Sequence, residues 1–297
     1  MNNNSKIGKP LVSVLVVTYN QEAYIRQTID SLLMQDCPFN YEILIGEDCS
    51  KDGTREICIE YEKKYPEKIR LFLNKENKGF ISNYFGLFEY IKGKYIADCG
   101  GDDYWLSPQK LRLQVQILEN HPDVSLVYGN WQMLHQKNGS IQSNMAGRAE
   151  DWFDSECFGK ESIKKYINGK SIPRVVLSSA CFRTDLLKES MVAHNELFFG
   201  EGIVCEDLPI TMCLLEKGPF YMIKGDILVY RVLEESISHN KNKNDYMKGF
   251  AWMAFLQTVK ISYVLGLSSK DIELYVNRIF PDFVLQAFLT DDKEWMT

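Results

Sequence analysis

From Leu11 to about residue 130 the chain alternates short β-branched apolar runs with segments of helical period, and this pattern limits the fold more than any other feature. "LVSVLVV" (11–17) reads as a buried strand ended by "TYN". Ile25, Ile29, Leu32 and Leu33 then recur at helical spacing. "YEILIGE" is a second strand, "DGTREICIEYEKKYP" a helix ending before Pro66, and "IRLFLN" a third strand. Residues 80–92 read as a helix closed by Gly93, and "KYIADC" as a fourth strand. Ser107 followed by Pro108 predicts a helix start, with Leu111, Val115 and Leu118 on its apolar face. "VSLVYGNWQML" is a further strand. Such alternation predicts a mostly parallel sheet with helices on both faces. Ligands of such sheets bind at the carboxyl ends of the strands, where "TYN", "EDCS" and "GGDDYW" all fall.

The second half is less regular. Residues 135–172 are rich in Gly, Asn, Ser and charge. "VVLSSACFR" reads as a strand followed by a short helix, and "VCEDLPITMCLLEKG" as a helix with Pro209 in its first turn and Gly218 at its end. "YMIKGDILVYRV" reads as a hairpin or two short strands. After a polar break at 240–245 the remainder is helical, with Trp252, Phe255, Val259 and Tyr263 on one face. Three roles compete for that face: packing on the rest of the chain, self-association, and contact with a membrane surface.

The 297 residues, 45% hydrophobic, can bury a sizeable core, and a net charge of −6 argues against a nucleic-acid partner. The eight cysteines have no CxxC spacing, so they read as small core residues of a reducing compartment rather than zinc ligands. "MNNNSKIGKP" carries no apolar signal segment, and no run approaches the roughly 18–20 apolar residues of a spanning helix. A cytoplasmic protein is expected, with peripheral contact at the inner face of the membrane left open.

The stretch "YIADCGGDDYW" carries the chemistry. Adjacent aspartates after two glycines can hold a divalent metal, act as acid or base, or form a solvated turn. At a strand end, a metal that keeps its waters would grip a diphosphate, and the glycines would let that diphosphate approach the backbone. There is neither GxxxxGK[ST] nor GxGxxG, and the four histidines lie in no Ser-His-Asp pattern.

Four stretches, "VSVLVVTYNQEAYIRQTIDSLLMQ", "EILIGEDCSKDGT", "NKENKGFISNY" and "GKYIADCGGDDYWLSPQKLRLQVQILENHPD", resemble family 2 glycosyltransferases of the nucleotide-diphospho-sugar type, and "SSACFR", "CEDLPITMCLLEKG" and "VYRVLEESIS" match more loosely. The resemblance implies an α/β fold of the glycosyltransferase A type: a single Rossmann-like, mostly parallel sheet flanked by helices, with a helical C-terminal segment. It implies a flexible 1–10, a nucleotide-sugar-binding half at 11–130, an acceptor-binding half of the same domain at 131–239, and helices over 240–297. It also implies inverting transfer of a hexosyl or N-acetylhexosaminyl group from a nucleotide-sugar, by family habit a UDP-sugar, to a saccharide or lipid-linked saccharide, with Mg2+ or Mn2+.

The same resemblance assigns roles. Thr18, Tyr19, Asn20 and Glu22 fall against the nucleobase, against a bland reading as a polar loop. Asp48, beside Glu47, is assigned to the base, its alternative being a cap of the next helix. Asn77, Gly79 and Asn83 lie beside the nucleoside. Asp102 stands at the metal-ligand position, and Asp103 next to it is counted among the donor-binding residues, while Gly100 replaces the family's first acid. Asp98 receives no role, and Trp105 is expected to pack the loop. Asp207 of the Glu206–Asp207 pair is assigned as the base that deprotonates the acceptor, its alternative being a helix cap. Tyr230, Arg231, Ser236 and Ser238 fit a late motif whose histidine is here Leu233; Arg231 is assigned to a donor phosphate, or else to an ordinary ion pair. A homologue that binds nucleotide-sugar or glycan without turnover is the competing reading.

Overall fold

The computed structural model describes residues 8–143, 151–169, 175–200, 202–233 and 247–289. Residues 1–7, Ser236, Ser238 and the polar break at 240–245 lie outside them. The expected alternation is present: β1 (Val12–Thr18), α1 (Ile25–Leu33), β2 (Tyr41–Glu47), α2 (Thr54–Lys64), β3 (Ile69–Leu73), α3 (Phe80–Gly86), β4 (Tyr95–Asp98), β5 (Tyr104–Trp105), α4 (Lys110–Asn120) and β6 (Leu126–His135). Then come β7 (Ser140–Ser143), β8 (Trp152–Phe153), α5 (Gly159–Ile167), β9 (Cys181–Arg183), α6 (Thr184–Ala193), α7 (Asp207–Lys217), β10 (Phe220–Val232), α8 (Trp252–Val264) and α9 (Ser269–Leu289).

The strands form one sheet in the order β3-β2-β1-β4-β9-β6-β10-β5, with β7 on β6 and β8 on β10. β3, β2, β1 and β4 are mutually parallel, and β6 and β10 are parallel to each other. β9 runs antiparallel to both β4 and β6, so the two parallel groups keep one direction. Their carboxyl ends therefore share one edge. Strands buried on both faces need apolar residues at every position. In β1, Val12, Val14 and Val16 face the core layer shared with α1, α2 and α4. Leu15 and Val17 face the other layer, with α3, α5, α6, α7, α8 and α9.

Several elements depart from expectation. Residues 80–92 form α3 and then a tighter 3-10 turn at Leu87–Tyr90. The helix expected at Ser107 begins at Lys110, and the Ser107 hydroxyl accepts the Gln109 N–H in the turn before it. Of "VVLSSACFR" only Cys181–Arg183 is strand, because the Ser178 and Ser179 carbonyls accept side-chain donors from Trp105 and Gln114 instead of ladder bonds. "YMIKGDILVYRV" lies within a single 13-residue strand, Phe220–Val232, rather than a hairpin. Its register shifts on β6 between Ile223 and Leu228, where Gly225 adopts φ +85°, so the turn-like residues make a bulge.

The helical C-terminal segment packs on the sheet domain. Phe255, Ile261 and Leu265 are buried against it, whereas Tyr263 is 75% exposed, correcting its assignment to the covered face. Polar Gln257, Thr258 and Ser262 are buried there instead. The cysteines are all free thiols, and Cys58, Cys99, Cys157, Cys181 and Cys213 are buried. Among the described residues no helix is long and apolar enough to cross a membrane.

Candidate active site

The carboxyl edge gathers the residues singled out in the sequence. After β1, the Thr18 hydroxyl donates to Gln21 Oε1 at 2.8 Å, and Tyr19 is exposed. Asn20 takes a left-handed φ of 52°, which asparagine tolerates. It is braced by its N–H to Ser50 Oγ (3.0 Å) and by Lys51 N–H to its Oδ1 (2.8 Å). Glu22 accepts the Gly53 N–H at the start of α2. The loops after β1 and β2 are thus one hydrogen-bonded unit.

Asp48 is buried, and its carboxylate does not cap α2. Oδ1 accepts from Asn74 Nδ2 (2.8 Å) and Lys78 N–H (2.9 Å), and Oδ2 from Gly79 N–H (2.9 Å). Asn77 Oδ1 also accepts the Gly79 N–H, and Gly79 has φ +80°. Asn83 bridges this loop to the sheet, accepting from Asn74 (3.0 Å) and donating to the Gly46 carbonyl (2.8 Å). Cys49, next in sequence to Asp48, holds a left-handed φ of 63°, a strained conformation for a residue with a side chain. Glu47 is committed elsewhere, to Arg55 and the Ser50 N–H.

The loop "GGDDYW" is fixed from three sides. The Thr28 hydroxyl of α1 is placed to donate to the carbonyls of Gly101 (2.9 Å) and Asp103 (2.6 Å), and Ser31 accepts the Trp105 N–H (3.0 Å). Gly101 sits so close to Thr18 that a Cβ would lie 2.8 Å from the Thr18 Cβ, which explains the glycine. Trp105 is buried and donates to the Ser178 carbonyl, packing the loop as expected. The two aspartates differ. Asp103 is buried and accepts the Arg231 N–H at 3.0 Å; burial and then Asp102 push its carboxyl well above the ordinary range. Asp102 is half-buried; burial raises its pKa, while its own backbone, Arg231 and Gln21 pull the other way.

Arg231 closes the floor. It is 5% exposed, and its guanidinium lies 4.9 Å from the ring centroids of both Tyr24 and Tyr104. It donates to the Asp102 carbonyl and to Gln27 Oε1, and its buried Nε has no acceptor among the described residues.

The pair Glu206–Asp207 stands at the start of α7. Glu206 is the N-cap without a capping bond, and Asp207 is the first helical residue, half-buried. Burial, then Asp207 and Asp98, push Glu206 well above the ordinary carboxyl range. Asp98, the last residue of β4, also feels Asp207. The charge of Asp207 thus bears on the end of β4, four residues upstream of Asp102.

The sequence pattern of the family described as "Glycosyl transferase family 2" matches residues 13–189, more than half of the chain. The chain belongs to glycosyl transferase family 2.

Among relatives of this family 2 glycosyltransferase, the putative teichuronic acid biosynthesis glycosyltransferase TuaG of Bacillus subtilis is 39% identical over 236 residues, 79% of this chain and 84% of that protein. The UDP-Glc:alpha-D-GlcNAc-diphosphoundecaprenol beta-1,3-glucosyltransferase WfgD of Escherichia coli is 30% identical over 72% of this chain and 83% of its own length. An uncharacterized Mycobacterium tuberculosis protein is 35% identical over 125 residues, so the match spans only 36% of that relative. S. aureus TarS 1–349 in complex with UDP-GlcNAc shares the fold with a TM-score of 0.64 at 17% identity, over 93% of this chain and 72% of that one. The mannosyltransferase PcManGT of Pyrobaculum calidifontis, in complex with GDP-Man and Mn2+, does so with a TM-score of 0.57 at 15% identity, over 97% and 82%. These likenesses establish the glycosyltransferase A-type fold.

The donor set for a divalent metal is sparse in this family 2 chain. Among the described residues no three His, Cys, Asp or Glu side chains cluster as ligands. Asp103 is occupied by the Arg231 N–H, and a Cβ at Gly100 would lie 3.1 Å from Asp102 Oδ1 and 3.3 Å from Asp103 Oδ2. One half-buried carboxylate fits a magnesium or manganese ion whose other ligands are diphosphate oxygens and water, not a closed protein cage.

Sequence reasoning missed Gln21, Tyr24, Gln27, Tyr84, Tyr104 and Ser178. Each acts through a partner distant in sequence, as Gln27 does on Arg231 across 204 positions, and no local pattern marks such pairs. Asp98 was seen but left without a role.

Proposed function

We propose that the protein transfers a sugar, with inversion, from a UDP-sugar to a hydroxyl of a saccharide or lipid-linked saccharide, assisted by magnesium or manganese. The observation that supports this reading is the loop after β4, which carries Asp102 at the carboxyl edge of the sheet and is held there by Thr28 of α1 and by Arg231 of β10. In this reading Asp102 serves the diphosphate side and Asp207 the acceptor side. UDP-GlcNAc on TarS and UDP-Glc in the name of WfgD favour a uridine donor, and the diphosphoundecaprenol in that name favours a lipid-linked acceptor.

Thr18, Tyr19, Asn20 and Glu22 form one wall of the nucleoside site, and Asp48, Asn77, Gly79 and Asn83 the other. Arg231 sets positive charge under the diphosphate, with its unpaired Nε–H available to an anion. Asp102 would hold the metal together with diphosphate oxygens, and the bound metal would offset the charge of the leaving group. Asp207 takes the proton of the acceptor hydroxyl as that oxygen attacks the anomeric carbon. The new C–O bond forms on the face opposite the breaking bond to diphosphate, which leaves with the electron pair. Asp207, half-buried at the first position of α7, is the member of the pair assigned to accept that proton, while Glu206 beside it is buried.

The competing reading, binding without turnover, draws on Gly100 and the single metal carboxylate. Thermal unfolding with UDP in manganese or in chelator tests the donor site. A rise in melting temperature only with manganese supports the proposal. Equal shifts in chelator remove the metal from it.

A further inference from the structure

We propose that the groove between α4 and the edge of β10 is a second saccharide site, apart from the donor site, and that it takes a neutral glycan chain along its length. A glycan held there keeps the enzyme beside its acceptor. That consequence rests on the proposed saccharide acceptor; the binding itself does not.

The groove exists because the edge of β10 is interrupted. β8 pairs with Tyr221 and Met222, and β5 with Leu228 and Val229. Among the described residues no strand pairs with 223–227 on that edge. The chain bulges there, with Gly225 at φ +85°, and a Cβ at Gly225 would meet nothing within 4 Å. The opening holds about 480 Å3, inside the range of roughly 300–1,000 Å3 for small-molecule sites. α4 forms the facing wall. The Leu106 N–H donates to the Ile227 carbonyl (2.9 Å) at the end nearer the carboxyl edge, and the His121 ring lies 5.9 Å from that of Tyr221 at the other. The groove thus follows the 11 residues of α4, roughly 16 Å at 1.5 Å per residue, which is longer than one sugar ring.

Its lining has the two kinds of surface that a pyranose needs. Ile117, Ile223, Ile227 and Leu113, which is 41% exposed, give an apolar strip for the C–H face of a ring. Tyr221 closes one end, stacked on Phe153 at 5.3 Å, with its hydroxyl donating to Asp151 Oδ2 at 2.9 Å. Along the rim stand Ser107, Gln116, Asn120 and His121. The side chains of Gln116, Asn120 and His121 have no hydrogen-bond partner among the described residues. An amide both donates and accepts, as a sugar hydroxyl does.

Other occupants fit less well. A peptide adding to the β10 edge needs free backbone groups. Here the Lys224 N–H donates to Asp151 Oδ1 (2.9 Å) and the Ile227 carbonyl accepts from Leu106, so the edge is capped. A phosphate or an acidic polymer would meet the carboxylates of Asp151 and Asp226 against the one ammonium of Lys224. An uncharged chain, rich in hydroxyls and with apolar ring faces, meets neither obstacle.

The test uses the full chain with 13C-labelled Ile and Leu methyl groups, and maltotetraose, cellotetraose, chitotetraose and mannotetraose as probes. At least one of these should shift the methyl signals of Leu113, Ile117, Ile223 and Ile227 saturably. Gln116→Ala combined with Asn120→Ala should weaken that binding by about tenfold, the loss of two hydrogen bonds. Both side chains are exposed, so the melting temperature and manganese-dependent UDP binding should match wild type. Asp207→Asn should bind the tetrasaccharide as wild type does, whether or not Asp207 is the base. No saturable shift from any of these probes, or unchanged affinity in the double variant, overturns the proposal. A response to tetragalacturonate alone overturns the neutral class. Loss of binding in Asp207→Asn puts the saccharide at the transfer site and overturns a separate one.

Discussion

The Arg231 backbone N–H donates to Asp103 Oδ1 at 3.0 Å, across 128 positions of sequence. This bond ties the last strand of the sheet to the loop after β4. It divides the labour of two adjacent aspartates, with Asp103 holding the loop and Asp102 left half-buried beside it.

Asp103→Ala should therefore destabilise the protein by about 1–3 kcal/mol, since it leaves the buried Arg231 N–H without its acceptor. Asp102→Asn should leave the unfolding midpoint in denaturant within about 0.5 kcal/mol of wild type and remove the manganese-dependent part of UDP binding. Denaturant melts and calorimetric titration separate the two effects. The reverse pattern would exchange the roles.

Asp98 predicts a pH dependence of stability. Its carboxyl is raised to about 7 in the fold from the ordinary aspartate value of 3.8. Between those values the folded state keeps a proton that the unfolded chain has lost, so this group's contribution falls as pH rises. The slope is at most about 1.4 kcal/mol per pH unit. Asp98→Asn removes the titration and keeps an acceptor for Tyr84. The variant should gain stability relative to wild type between about pH 4 and pH 7 in urea melts. Parallel stability curves would show that Asp98 does not titrate in that window.

Much of the fold was legible, for identifiable reasons. β1, β2 and β4 are buried on both faces, so their apolar runs are continuous and bounded by turn residues. β10 was not legible as one strand, because "KGD" reads locally as a turn and only pairing to β6 turns it into a bulge. β5 is two residues long and exists by pairing with Leu228 and Val229. In the candidate site, Asp102, Asp103 and Asp207 were singled out through motif position. The cage of Tyr24, Tyr104 and Gln27 around Arg231 and the bond from Tyr84 to Asp98 were not, because such contacts are set by tertiary packing rather than spacing.

The C-terminal helices bear on the site through Gln257. Its Oε1 accepts the Val204 N–H (3.1 Å) and its Nε2 donates to the Cys205 carbonyl (2.8 Å), two residues before Asp207. Gln257→Ala should cost about 1–3 kcal/mol and lower kcat more than donor affinity, because it frees the segment that carries the base. Ending the chain at Asn240 should give a poorly soluble protein or a changed oligomeric state. It strips α8 and α9 from a core layer that includes Ile210 and Leu214. Light scattering and thermal unfolding check this. An unchanged mass and melting temperature would make the segment an independent appendage.

The most direct measurement is UDP release from a panel of UDP-sugars, with and without a saccharide acceptor, by wild type and Asp207→Asn in manganese. UDP affinity is measured on both proteins. The account predicts release by wild type on at least one donor, loss of at least about a hundredfold in Asp207→Asn, and equal UDP affinity in the two. Release by Asp207→Asn at the wild-type rate would contradict it.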